Sequence, residues 1–159
     1  MLFRSVGQRY LSNGIEIQVV ATAPNTSPND SSIAVLANIT GITLFAAGDL
    51  ELAGQARALV ILKHTSYKHL WNRTPIDVMK GIHHGSALQL PELIEYLKPR
   101  VTLFSVGAEN PYGHPSTSAL DLYGRFGHVY RTDKDQSIVL AKRSGNLIVV
   151  KAPVTPWAL

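Results

Sequence analysis

A run of 18 residues without a charged side chain, residues 31–48, constrains the fold more than any other feature. Its length approaches the roughly 20 apolar residues that a membrane-spanning helix needs. However, Asn38, Thr40 and Gly41 interrupt its centre and separate two runs that are rich in β-branched and apolar residues. Two such runs around a short polar segment are typical of a β-hairpin. We therefore expect a buried hairpin here and a soluble chain.

Strand-like and helix-like patterns alternate along the rest of the sequence. Residues 14–20 alternate polar and apolar side chains, the period of a half-buried strand, whereas residues 51–62 repeat apolar side chains on the helical period. Pro91 and Ser116 suit the first turn and the N-cap of two further helices. Short apolar runs predict further strands at 76–82 and 101–107 and closing strands at 129–130, 137–141 and 147–151. This alternation predicts an α/β or α+β fold.

Composition supports one folded domain. The chain has 159 residues, of which 45% are hydrophobic and 16% charged, and this balance excludes an intrinsically disordered protein. We predict a single domain over residues 1–159 with a core at about 14–151. The absence of cysteine excludes disulfides, thiolate metal sites and cysteine nucleophiles. The net charge of +4 permits a polyanionic partner without requiring one.

Metal-binding residue types follow three predicted strands, each beside a glycine. The segments are Gly48-Asp49, His83-His84-Gly85-Ser86 and Gly113-His114-Pro115. A strand end fixes the direction of the chain, and glycine lets the backbone turn close to an ion. Carboxylate and imidazole groups together suit zinc or manganese. These segments are therefore candidates for one functional site.

Each segment also has a purely structural explanation when it is taken singly. Asp49 precedes the helix predicted at 51–62 and is placed to cap it. The pair His83-His84 suits a surface loop, and His114 suits a hydrogen bond within its own turn. The order of the segments along the chain, rather than any one of them, favours a functional site.

That order resembles a known family. Asn29-Asp30-Ser31-Ser32, a hairpin that ends in Gly48-Asp49-Leu50-Glu51, and the stretch 78–86 follow one another as in the metallo-β-lactamase superfamily. Two later segments, at 110–115 (Asn-Pro-Tyr-Gly-His-Pro) and 129–133, resemble the carboxy-terminal domain of the ComEC family of DNA-uptake competence proteins. The resemblance covers roughly residues 15–140.

The resemblance implies roles for individual residues. Asp49 matches a metal-bridging aspartate and His84 a histidine ligand. His83 matches a group that supports the ligands or acts in catalysis, and His114 a group that lies at the scissile phosphate or supports the ligands; these two are the expected catalytic residues. Which of His83 and His84 binds the metal stays open. The residues expected to line the substrate cleft are Asn29, Ser32 and Ser86. In this family two divalent ions, zinc or manganese, hold a hydroxide that attacks a phosphodiester, and the ComEC domain degrades one strand of incoming DNA.

One part of the family pattern is missing. The superfamily has a His-x-His-x-Asp-His cluster upstream of these segments, but no two histidines of this chain are separated by one residue. The resemblance thus implies a truncated αββα sandwich, mainly its second half. A two-metal site needs both ions about 3.5–4 Å apart, and Asp49 with one or two imidazoles supplies too few ligands. We expect the isolated chain to be inactive, with metal bound weakly or not at all.

The resemblance also implies partners and a location. The parent protein is expected in the bacterial cell membrane, held by segments outside this chain, and acting on DNA during natural transformation. An uncovered sheet face would favour a homodimer. Two other functions stay open. One is a non-catalytic nucleic-acid-binding module that uses residues such as Lys98, Arg100 and Arg131, and the other is a different metallo-β-lactamase-fold hydrolase.

Overall fold

A computed structural model describes residues 5–23, 27–64, 71 and 75–152. Its strands are β1 (Arg9–Ser12), β2 (Ile15–Ala21), β3 (Ala34–Ile39), β4 (Ile42–Ala46), β5 (Val78–Lys80), β6 (Val101–Phe104), β7 (His128–Arg131), β8 (Ser137–Arg143) and β9 (Asn146–Ala152). Its helices are α1 (Leu52–Leu62), α2 (Pro91–Leu97), α3 (Thr117–Gly124) and α4 (Thr132–Asp135), with a 3₁₀ turn over Ile82–Gly85. The predicted mixture of α and β structure is confirmed.

Seven strands form one mixed sheet in the order in which they occur along the chain. Strands β1 to β4 pair antiparallel, whereas β4 to β7 pair parallel. The parallel strands require crossover connections, which contain α1, then α2, then α3. The uncharged run contains the predicted hairpin, β3–β4, so that expectation is confirmed. Among the described residues, no helix is long and apolar enough to cross a membrane.

The core lies between the sheet and the helices. Leu36, Phe45 and Met79 are paired across neighbouring strands, so they share one face, and all three are fully buried. This face belongs to a buried cluster that includes apolar side chains of α1 and α2. Phe104 meets the ring of Tyr123 on α3 edge-on, with centroids 5.2 Å apart. This ring contact packs α3 against β6.

Two of the predicted helix starts are formed as the sequence suggests. Pro91 opens α2, and the Ser116 side chain accepts a hydrogen bond from the backbone N–H of Ala119 at 3.2 Å, which caps α3. Helix α2 ends where Lys98 takes a left-handed conformation ahead of Pro99. These signals are local, so they can be recognised in the sequence.

Several other expectations are wrong in detail. The runs at 76–82 and 101–107 form strands of only three and four residues, because the chain turns at the site described below. The strands predicted at 137–141 and 147–151 are confirmed as β8 and β9, but they pair with each other in a separate two-stranded sheet and do not close the main one. Strand β1 and helix α4 were not predicted. The truncated αββα sandwich and the single partial domain over residues 1–159 stay predictions.

Candidate active site

The topology brings the three candidate segments to one edge of the sheet. Asp49 follows β4, His83 and His84 follow β5, and the connection after β6 carries His114. Because β4, β5 and β6 are parallel, their carboxyl ends meet at the same edge, which is where open α/β sheets bind ligands. The predicted convergence is therefore observed, whereas the chemical roles of these side chains stay predictions.

Asp49 and His84 face each other at this edge. Oδ1 of Asp49 lies 3.5 Å from Nε2 of His84, and both side chains are partly open to solvent, at 37% and 42% exposed. The other ring nitrogen of His84, Nδ1, lies 2.6 Å from the carbonyl oxygen of Ser105. Since a carbonyl only accepts hydrogen bonds, Nδ1 carries the proton in this contact. The Nε2 atom is thus the one presented to Asp49.

His83 and His114 lie beside Asp49 and His84, and together these four side chains form a cluster. Their rings meet edge-on with centroids 5.6 Å apart. Nδ1 of His83 is buried and has no hydrogen-bond partner within the described part of the chain. Burial lowers the pKa of His114, and the neighbouring imidazoles of His83 and His84 lower it further against the opposing effect of Asp49. The neutral form of His114 is therefore favoured near pH 7.

The turn that carries the histidine pair is strained. His83 (φ 47°, ψ 47°) and His84 (φ 53°, ψ 15°) both occupy the left-handed region, which costs about 1–3 kcal/mol for each non-glycine residue. The turn is held from two sides. The His83 N–H donates to the carbonyl of Gly48 at 3.0 Å, and the carbonyl of Gly85 accepts from the N–H of Ser116 at 2.8 Å. Long-range contacts therefore impose this conformation.

Asn29 and Ser32 contact the segment that carries Asp49 through one hydrogen bond each. The Ser32 hydroxyl accepts the N–H of Asp49 at 3.1 Å, and the Asn29 amide donates to Glu51 at 3.0 Å. Ser86 is only 5% exposed, and its hydroxyl accepts the N–H of Leu88 at 3.3 Å. All three predicted cleft residues thus make contacts within the fold. Their predicted contacts with substrate stay predictions.

The helix-cap explanation for Asp49 is wrong, because another aspartate fills that role. Glu51 is the N-cap residue of α1 and makes no side-chain cap of its own. Instead, Oδ1 of Asp30 accepts the N–H groups of Glu51 and Gly54, each at 3.1 Å. Asp30 lies about 20 residues before the helix, so a search for a local cap residue does not find it.

Sequence reasoning also missed two residues next to the cluster. Burial lowers the pKa of Lys80, at the end of β5, while the nearby carboxylate of Asp49 raises it. Asn110 clamps the His114 turn, because its Oδ1 accepts the His114 N–H at 3.1 Å and its Nδ2 donates to the His114 carbonyl at 2.8 Å. The spacing of four residues between Asn110 and His114 was the available signal. The Asn110 side chain therefore holds the turn through the backbone of His114, and the His114 ring stays available for contacts in the cluster.

The donor set fits a metal only in part. Two ligands on one tetrahedral ion with bonds of about 2.0–2.2 Å stand about 3.3–3.6 Å apart, and Asp49 Oδ1 and His84 Nε2 have that spacing. Histidines that bind metals also donate their second N–H to an acceptor, as His84 does. However, no group of three His, Asp or Glu side chains within the described ranges could hold an ion. These residues therefore do not form a complete metal site.

A groove of about 360 Å³ opens beside the cluster. Its lining residues are His84, Ser105, Val106, Gly107, Asn110, Tyr112 and His114. Tyr112 stacks on the His114 ring with centroids 6.2 Å apart and 25° between the planes, and it is 79% exposed. The groove thus connects two of the four cluster side chains to solvent.

Comparison with known proteins shows a relation to a competence protein. No protein-family model matches the chain. Over 114 residues, 70% of its length, the chain is 31% identical to ComE operon protein 3 of Bacillus subtilis (strain 168). ComE operon protein 3 is the ComEC protein of that bacterium. The chain belongs to the ComEC family. The aligned region spans 14% of the length of ComE operon protein 3, so the comparison concerns one segment of that protein. The ComEC part of the resemblance is confirmed at this level, and membership of the metallo-β-lactamase superfamily stays a prediction.

Proposed function

We propose that this chain is a segment of a ComEC-like protein that acts on DNA during its uptake into the cell. The observation that carries the proposal is the convergence of Asp49, His83, His84 and His114, which we call the imidazole cluster, in a relative of ComE operon protein 3. The whole protein is proposed to lie in the bacterial cell membrane through segments other than these residues. DNA is its proposed partner.

The imidazole cluster is proposed to be one half of a metal-dependent phosphodiesterase site. Asp49 and His84 would hold the ion, because their facing atoms have the spacing of two ligands and His84 is oriented by Ser105. His83 and His114 would contact the substrate, with neutral His114 able to accept a proton. When bound, zinc or manganese supplies Lewis-acid chemistry at a phosphoryl oxygen. Further ligands must come from outside the described residues, so the isolated chain should turn over little or no DNA.

A second candidate function is DNA binding without chemistry by these residues. It is favoured by the incomplete donor set in the described part of the chain and by the net charge of +4. Binding through phosphates weakens steeply as the salt concentration rises. A salt series without metal therefore separates this function from binding that depends on an ion in the cluster.

Calorimetric titration with zinc or manganese tests the proposed half-site. We expect weak binding of about one ion per chain, lost in Asp49→Ala and in His84→Ala. His128→Ala is the matched control, because His128 is exposed and lies at the amino end of β7, away from the cluster edge. Equal metal binding by all four proteins would contradict the half-site.

A nuclease assay tests the completeness of the site. Plasmid and single-stranded DNA are incubated with the chain and either metal, and we expect no turnover above that of the Asp49→Ala variant. Robust turnover that disappears in Asp49→Ala would support the hydrolase and contradict the need for outside ligands. If the calorimetric titration shows no metal binding and the salt series shows no DNA binding at any concentration, both candidate functions are wrong.

A further inference from the structure

We propose that Tyr112 and His114 form a stacking platform for one unpaired nucleobase, so that the groove takes single-stranded rather than duplex DNA. This inference rests on the proposed function and names the form of its substrate. It does not depend on metal, because Tyr112 and His114 are outside the proposed ion-binding pair.

The exposure of Tyr112 is the first supporting observation. The side chain is 79% exposed, although a tyrosine ring carries a large apolar surface that folding normally buries. It lies in a turn that Asn110 closes through its two hydrogen bonds to His114. The fold therefore fixes the turn and leaves one face of the ring available.

The arrangement of the rings is the second observation. The Tyr112 ring is stacked on His114, whose ring in turn meets His83 edge-on. Successive aromatic rings at the mouth of a groove are the means by which proteins hold unpaired bases. In a duplex the same base is stacked between its neighbours, and taking it out costs a few kcal/mol. A platform of this kind therefore favours single strands.

The walls of the groove indicate that the base type is not read. The Ser105 carbonyl is engaged by His84, and the Asn110 amide is engaged by His114. Val106 and Gly107 add little beyond apolar surface and backbone. Because these two polar groups make contacts within the protein, they are less available to the edge of a base. Stacking of this kind tolerates all four bases.

Fluorescence anisotropy of labelled 12-nucleotide DNA tests the platform, with metal omitted. We expect single strands of mixed sequence to bind more tightly than the matching duplex. Tyr112→Ala should weaken single-strand binding about tenfold, as loss of one stacked ring does, whereas Tyr112→Phe should not. Tyr10→Ala is the control, because Tyr10 is also exposed but lies on β1, an outer strand that β2 and β3 separate from β4.

The outcomes separate this inference from the function on which it rests. Single-strand binding that Tyr112→Ala leaves unchanged, or equal binding of duplex, would overturn the platform and leave DNA binding in place. If no form of DNA binds, the proposed function is overturned and the platform with it. Circular dichroism of each variant guards against misfolding, which we do not expect at so exposed a side chain.

Discussion

At the scale of single residues, the imidazole cluster depends on a backbone arrangement that its own residues disfavour. His83 and His84 are both left-handed, and the Gly48 carbonyl is one of the groups that hold them there. Gly48 itself has φ +55°, and a Cβ at this position would lie 2.8 Å from the Cβ of Ser32. Glycine can adopt this backbone conformation, in which the Gly48 carbonyl accepts the N–H of His83. That hydrogen bond from a different segment helps to offset the strain of the histidine turn.

Gly48→Ala should disturb this arrangement. The added methyl group meets Ser32 at too short a distance, and the positive φ is unfavourable for alanine, so we expect a loss of about 1–3 kcal/mol of stability. Urea unfolding followed by circular dichroism measures it. Gly124→Ala is the control, because a Cβ there meets nothing within 4 Å and φ is not positive. That variant should be as stable as the wild type or slightly more so, and equal losses in both variants would contradict the explanation.

At the scale of secondary structure, helix α1 is capped from a distant segment. Asp30 is only 8% exposed, and its carboxylate serves the N–H groups of Glu51 and Gly54. A carboxylate at a helix amino end also interacts favourably with the helix dipole. The same short segment holds Asp49 through the hydroxyl of Ser32. The cap and the candidate site therefore share one support.

Asp30→Ala should destabilise the protein by about 1–3 kcal/mol, because the N–H groups of Glu51 and Gly54 at the start of α1 lose their acceptor. Thermal and urea unfolding measure this loss. Asp121→Ala, at an exposed position of α3, should change stability by less than about 0.5 kcal/mol. Asp30→Asn keeps one acceptor oxygen and should lie between the two. If Asp30→Ala matched Asp121→Ala, the distant cap would be wrong.

Whether a feature could be predicted from the sequence depends on how far apart in the chain the contacting residues lie. The hairpin β3–β4 and the starts of α2 and α3 follow from local patterns, and they are observed. The meeting of Asp49 with His84 follows from the rule that parallel strands end at one edge. The cap by Asp30, the separation of β8–β9 and the stacking of Tyr112 depend on long-range packing, which residue spacing alone does not encode.

At the scale of the whole molecule, the β8–β9 hairpin is attached to the rest through charged contacts. Lys142 lies 3.2 Å from the carboxylate of Asp77 and 2.7 Å from the Gly41 carbonyl, and Lys151 lies 2.6 Å from Asp135. The outer face of the hairpin exposes the apolar side chains of Val139, Ile148 and Val150. The homodimer expected from uncovered apolar surface stays a prediction, which light scattering over a range of concentrations can test.

The attachment through Asp77 should make stability depend on pH in a defined direction. Burial raises the pKa of Asp77, but hydrogen bonds from Thr43 and the contact with Lys142 together hold it below its ordinary value. Asp77 therefore binds its proton less readily when folded than when unfolded, and stability rises with pH through this range. The contribution is complete above about pH 4, the ordinary aspartate range, and is lost as the pH falls through the folded pKa.

Lys142→Met tests this coupling between the hairpin and the main sheet. The substitution keeps an apolar stem but removes the charge, so burial of Asp77 loses an opposing effect and its folded pKa rises. Because the gap between the folded and unfolded pKa values of Asp77 narrows, the variant should be less stable than the wild type at pH 7 and should lose less stability as the pH falls, when urea unfolding is repeated from pH 7 to pH 3. Arg143→Met, which removes an exposed charge one residue along the same strand, should follow the wild-type pH dependence. If the two variants gave the same curve, net charge rather than the Asp77 contact would govern acid unfolding, and the hairpin would be joined to the sheet by other means.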